Sequence, residues 1–160
     1  INFVSQFIQY FSEILIMNIP EYIHWSEKFS VGNENVDNDH KKLFEIHNDL
    51  MDLVSKNCSS DEFARILSEM TDYVLHHFKK EEAYMKAFNY PDYDAHRKHH
   101  DEYSYQVAMF NYQLTGPNPP DPHKIISFIK EWWTNHIAKS DIKYEQYKKE
   151  LNSAAKYSSL

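Results

Sequence analysis

Residues 77–100 read HFKKEEAYMKAFNYPDYDAHRKHH, a stretch with four histidines and one adjacent pair of glutamates. Asn89-Tyr90-Pro91 divides it, because a proline disfavours helix at the residue before it. Upstream of the break, Phe63, Ile66, Met70, Tyr73, Val74, His77, Glu81, Tyr84 and Phe88 recur with the period of a helix. Downstream, His96, His100, Tyr103, Val107, Phe110 and Leu114 recur at heptad-like intervals. At about 100° per residue, His77 and Glu81 fall near the middle of the first stripe, whereas His76 and Glu82 fall off it and read as solvated surface residues. His96 sits at the centre of the second stripe, with His100 one turn later. His96 paired with His99 is a geometric alternative that periodicity leaves open. The i,i+4 pair is the better reading, because two imidazoles one turn apart can converge on one ion. The stretch predicts a helical hairpin with imidazoles and a carboxylate turned inward.

Two flanking helices cover that hairpin. One runs from about Asp37 to Lys56, with His40, Leu43, Phe44, His47, Leu50 and Val54 on one face. After the break NCSS, Ser59 and Glu62 form a capping box for the helix that carries His77. The His96 helix spans about Asp92 to Leu114, with Gly116 as its C-terminal cap and TGPNPPDP unable to continue it. Asp121 then caps a last helix with Pro122 in first position, carrying Ile125, Ile129, Trp132, His136 and Tyr144 to roughly Leu151. Short connections join antiparallel neighbours, so the expected fold is all-α: an up-down-up-down antiparallel four-helix bundle with an irregular N-terminal arm over residues 20–36. The expected organisation is an extension over 1–19, the bundle over 20–151 and a C-terminal tail over 152–160.

Composition narrows the function. A formal charge of −7 over 160 residues argues against nucleic acid as a partner, since phosphate binding needs a basic face. The single cysteine, Cys58, has no intramolecular mate, and a reducing, cytoplasmic setting is expected. Phe3, Phe7, Phe11, Ile14 and Leu15 repeat at helix-like spacing, but Gln6, Gln9, Ser12 and Glu13 interrupt them too often for a membrane span. No basic residue precedes them as in a secretory signal, and they read as an upstream extension or the tail of a larger protein.

The core-facing polar residues carry the chemistry. His47 lies two turns from His40, about 10 Å along the axis, and reads as an ordinary hydrogen-bonded core histidine. The remainder do not fit that reading together. Each of the four helices turns a histidine inward, and the second adds Glu81. An unpaired buried carboxylate costs several kcal/mol or becomes neutral. A cation held by ligands from all four helices removes that cost. The ligands are too many for one tetrahedral zinc, and two carboxylate-bridged irons would use them all.

With HF-KK-EE-AY-M, Y-P and H-RK-H-H in order, preceded by VGNENVDNDHKKLFEIHNDL and followed by EWWTNHIAKSDIKY, the chain strongly resembles the hemerythrin family, its single-domain bacterial members in particular. The match runs over about residues 24–150. The resemblance implies two iron ions, His96, His100 and His136 on one and His40 and His77 on the other. Glu81 and Asp141 would bridge them with an oxo or hydroxo group, and dioxygen would bind at the open position. It further implies an oxygen pocket formed by Phe44, Trp132, Trp133 and Ile137. Two positions depart from the family pattern: Asp39 where glutamine or glutamate is common, and Trp133 where leucine is common. Asp141 poses a geometric problem, because five residues from His136 leave it roughly 140° away on an ideal helix. It reaches the core only if one i→i+5 turn lies between Trp133 and Asp141.

The expected function is reversible dioxygen binding as a carrier, store or sensor, not an enzyme, with no membrane partner and a monomer or weak homo-oligomer. The chain has no Glu-x-x-His among its core positions, which separates it from carboxylate-rich oxidases. A di-iron oxidase, peroxidase or nitric-oxide-handling enzyme is the alternative, and a metal-free interaction module is the third.

Overall fold

The computed structural model describes residues 21–158. The apolar repeat Phe3–Leu15 lies outside them. Among the described residues every regular element is helical: a 3₁₀ turn at Glu27–Phe29, then α1 (Glu34–Ser55), α2 (Ser60–Ala87), α3 (Tyr93–Leu114), α4 (Pro122–His136), a π turn (Ile137–Asp141) and α5 (Ile142–Ser158). The last three form one continuous helix with a local defect. The result is a four-helix bundle in which α1 packs on α2 and α4, and α2 packs on α3.

The ends of these helices follow from their capping chemistry. Asn33 caps α1 by accepting from the Asn35 N–H, so the helix begins three residues before Asp37. The Ser59–Glu62 capping box is present, and Asp121 accepts from the His123 N–H with Pro122 behind it. Asn57 and Asn89 take positive φ, of 55° and 53°. The Asn57 and Cys58 N–H groups donate back to Val54 and Leu53, while Asn89 and Tyr90 donate back to Lys86 and Met85. Both are Schellman ends, in which asparagine tolerates the left-handed residue almost as glycine does. The expected glycine cap of α3 is corrected: Thr115 is its C-cap, and Gly116 donates to the Gln113 carbonyl without a positive φ. The last helix runs past Leu151 to Ser158. No proline or glycine follows Leu151 to stop it.

Leu43, Leu50, Leu67, Met70, Ile125, Ile126, Ile129 and Trp133 form the fully buried centre. On α2 the buried line runs through Leu67, Phe78 and Met85, while Ile66, Tyr73, Tyr84 and Phe88 are only half-buried. That face is thus broader than the expected stripe. At one end a smaller cluster of Met85, Tyr90 and Tyr144 closes the bundle. The arm is tied to α1 by Asn48, whose side chain accepts from the Ile23 N–H and donates to the Ile23 carbonyl, both at 2.9 Å. Asp37 accepts from the Val31 N–H and the Ser30 hydroxyl. Phe29 and Trp25 then pack against Phe44. No helix among the described residues is long and apolar enough to cross a membrane.

Candidate metal centre

Between the aliphatic centre and the tyrosine cluster the bundle buries His40, His77, Glu81, His96, His100, His136 and Asp141, each no more than 5% exposed. They come from α1, α2, α3 and the last helix. His76 and His99 are exposed, which settles the phase of α2 and α3 in favour of His77 and the His96–His100 pair. His47 is buried apart from them, its Nδ1 3.2 Å from the Asn48 amide oxygen.

Asp141 owes its position to the π turn Ile137–Asp141. The extra residue per turn reduces the rotation between His136 and Asp141 enough to bring both to the core. Asp141 is fully buried, with Oδ1 3.0 Å from His136 Nε2 and Oδ2 3.2 Å from His40 Nε2. The defect therefore delivers a carboxylate between two histidine groups.

Those groups are distinct. His100 Nε2 lies 3.0 Å from His96 Nε2 and 3.1 Å from His136 Nε2. Nitrogens about 2.1 Å from one ion and at right angles around it would be about 3 Å apart, so the spacing is that of neighbouring ligands. Glu81, His96, His100 and His136 form one set of converging donor atoms, and His40, His77 and Glu81 form another. Glu81 belongs to both. Its Oε2 lies 3.2 Å from His100 Nε2, 3.6 Å from His96 Nε2 and 3.9 Å from His77 Nε2, while Oε1 accepts from the Tyr144 hydroxyl at 2.5 Å.

The electrostatics ask for a cation. Burial alone would raise the Glu81 carboxyl, but the imidazoles of His100, His96 and His77 hold it well below its usual range. Burial and the neighbouring Glu81 push Asp141 upward, and His136 and His40 overcome both to hold it at about 2. Two ionised carboxylates thus sit in an interior that would otherwise neutralise them. Burial lowers His136 more than Asp141 raises it, which favours a neutral, donating imidazole. His40 and His100 go the other way, raised by Asp141 and Glu81 respectively against the effect of burial. Among the buried atoms without a hydrogen-bond partner are both nitrogens of His40, His77 Nε2, Glu81 Oε2 and both oxygens of Asp141. Unpaired polar atoms are scarce in folded interiors, and these converge on one place. Their number and chemistry fit bound metal.

The apolar surroundings divide unevenly. Trp133 is fully buried with its ring centroid 5.7 Å from His77 and 6.5 Å from His40. Its indole N–H donates to the Tyr103 hydroxyl at 3.0 Å. Trp132 stacks on His136 at 4.2 Å, on the three-histidine side, and borders an open surface groove with Phe128, Asn135 and Lys139. Adjacent residues differ by about 100°, so the two tryptophans serve different faces. Ile137 is buried at the π turn, and Phe44 packs among Trp25 and Phe29. Two contacts of the site are not read from the sequence. Tyr144 stands on the core stripe, but its bond to Glu81 follows only from packing. Glu82 is a correction: not a free surface residue, it lies 3.1 Å from His100 Nδ1.

Known proteins resemble this chain in sequence and fold. The sequence matches the family description "Hemerythrin HHE cation binding domain" over residues 31–146. It is 35% identical to a myohemerythrin of Theromyzon tessulatum, an alignment covering 82% of this chain and 98% of that protein. Identity is 37% to a hemerythrin-like protein of Naegleria gruberi, over 79% of this chain and 94% of the relative. A bacteriohemerythrin of Clostridium acetobutylicum is 28% identical over 75% and 96%. Among solved structures, a wild-type hemerythrin superposes with a TM-score of 0.74 at 28% identity, covering 79% of this chain and 97% of that one.

Proposed function

We propose that this chain, which belongs to the hemerythrin family, binds dioxygen reversibly at a pair of non-haem irons in its bundle core. The observation that supports this most is the division of five imidazoles into sets of three and two around two shared carboxylates. His96, His100 and His136 would hold one iron, His40 and His77 the other, with Glu81 and Asp141 between them. The pair of irons would supply the electrons that dioxygen takes up on binding and returns on release. The two-histidine side has fewer protein donors and so leaves room for a small ligand. Neutral imidazoles add no negative charge and so do less than carboxylates to stabilise high oxidation states, which favours binding over oxidation. Trp133, against His40 and His77, supplies an apolar wall on that side. Tyr144 fixes one Glu81 oxygen and leaves the other facing the histidines.

The test is anaerobic loading with iron(II), metal analysis, and exposure to oxygen. Two irons per chain and a coloured species that is lost under vacuum and regained with oxygen are expected. Prompt, irreversible oxidation with turnover of a reductant would favour the di-iron oxidase or peroxidase instead. Glu81→Ala should retain less than half the iron of the native chain. Full retention would remove Glu81 from the ligand set.

A further inference from the structure

On the three-histidine side, a groove of about 610 Å³ runs along the last helix beside α3. Clefts of this size hold small organic ligands. One end is apolar, built by the half-buried Phe128 and Trp132. The other end carries Lys139, Ser140 and Lys143, with His99 supplied by α3. Seven residues of helix separate Trp132 from Lys139, about 10 Å along the axis. Asn135 links the two ends: its Nδ2 donates to the Glu131 carbonyl at 2.8 Å, and its Oδ1 accepts from Lys139 Nζ at 2.6 Å. Lys139 is thereby held along the groove. The π turn that brings Asp141 inward also contains Lys139 and Ser140, so one backbone defect shapes both the metal centre and the groove.

The charges in the groove are sorted along its length. In a chain of net charge −7, two ammonium groups stand together at one end, and Lys143 makes no ion pair among the described residues. The carboxylate that lines the groove, Glu131, stands beside Trp132 at the aromatic end. Asp92 lies in a smaller adjoining cleft with Tyr90 and His96. Two ammonium groups and a hydroxyl suit a phosphate, while aromatic side chains take up the apolar surface of a flat ring. Glu131 can accept from a ring N–H. The shape and the order of these groups fit a flat heterocycle that bears a phosphate on a short chain.

We propose that this groove binds a phosphorylated planar heterocycle of the flavin mononucleotide kind, its ring against Phe128 and Trp132 and its phosphate between Lys139, Ser140 and Lys143. The proposal goes beyond the oxygen-binding reading and does not depend on it. Trp132 stacks on His136 at 4.2 Å, so the bound ring would rest one side chain away from the three-histidine set.

The experiment is calorimetric titration of the full chain with flavin mononucleotide, riboflavin and inorganic phosphate. Riboflavin has the same ring without the phosphate, and inorganic phosphate lacks the ring. The mononucleotide should bind about tenfold more tightly than riboflavin, and inorganic phosphate should give no measurable heat. Lys143→Glu replaces an attraction with a repulsion and should weaken the mononucleotide by a further factor of about ten, leaving riboflavin unchanged. Lys42→Glu makes the same change of charge on the exposed face of α1 and should alter neither. Phe128→Ala should weaken both flavins. Added salt should weaken the mononucleotide alone. No binding of the mononucleotide at about 1 mM, equal affinity for the two flavins, or equal losses in Lys143→Glu and Lys42→Glu would overturn the proposal. These titrations need no metal, so a failure of the oxygen-binding reading leaves their outcome untouched.

Discussion

Trp133 and His47 show how much one side chain can decide in this protein. Trp133 stands beside His40 and His77, and its N–H is committed to Tyr103. Trp133→Leu should open space next to the two-histidine set and speed both azide binding and autoxidation of the iron-loaded protein. It should also cost roughly 2–4 kcal/mol, from the lost packing and from a buried Tyr103 hydroxyl left without its donor. Unchanged rates in a destabilised variant would mean that small ligands do not pass this residue. His47 concerns pH rather than access. Burial lowers its pKa in the folded chain, its Asn48 contact offsetting only part of that. Below the ordinary histidine range of about 6.5 the unfolded chain takes a proton that the folded chain refuses. His47 therefore supports the fold fully above that range and progressively less as the pH falls. Replacing it with methionine should flatten the decline in urea midpoint between about pH 7.5 and 5.5. An identical decline in both proteins would show that other groups set the acid sensitivity.

At the scale of the element, the π turn is the feature on which the centre depends. One surplus residue lies between His136 and Asp141, and the backbone absorbs it at Ile137–Asp141. Removing the exposed Lys139 should convert the segment to ordinary α-helix and leave His136 and Asp141 at i,i+4, still on one face. Inserting an alanine after Ser140 should instead rotate Asp141 by about 100° away from His40. Metal analysis should find the deletion variant near native content and the insertion variant well below it. The reverse order would mean that the turn is needed for more than phase. The spacing of His136 and Asp141 already required such a defect, although its exact residues could not be read from the chain.

For the whole molecule, the centre sits where all four helices meet, so metal binding and folding are linked. Several buried donor atoms of His40, His77, Glu81 and Asp141 have no hydrogen-bond partner within the protein, and a metal ion would satisfy them. A ligand present at a thousand times its dissociation constant adds about 4 kcal/mol. In a domain of this size that corresponds to roughly 10 °C in the thermal midpoint. Calorimetry of the chelator-treated protein should show a loss of that order, restored by adding metal back. A midpoint indifferent to chelation would separate the cluster from the stability of the bundle.

Four helices, their approximate limits and the inward histidines were legible in the sequence because apolar period and capping residues are local signals. Ser59 with Glu62, and Asp121 with Pro122, act over three or four residues, and the structure keeps them as read. Glu82 was misread for a related reason: periodicity reports angle from the apolar stripe, and a side chain at the edge of that stripe can still reach a neighbouring helix. Whether it meets water or His100 depends on how α2 lies against α3. The same holds for Tyr144 on Glu81 and for Trp133, rather than Trp132, beside His77. Those contacts join residues 18 to 63 positions apart, and they exist only once the helices have packed.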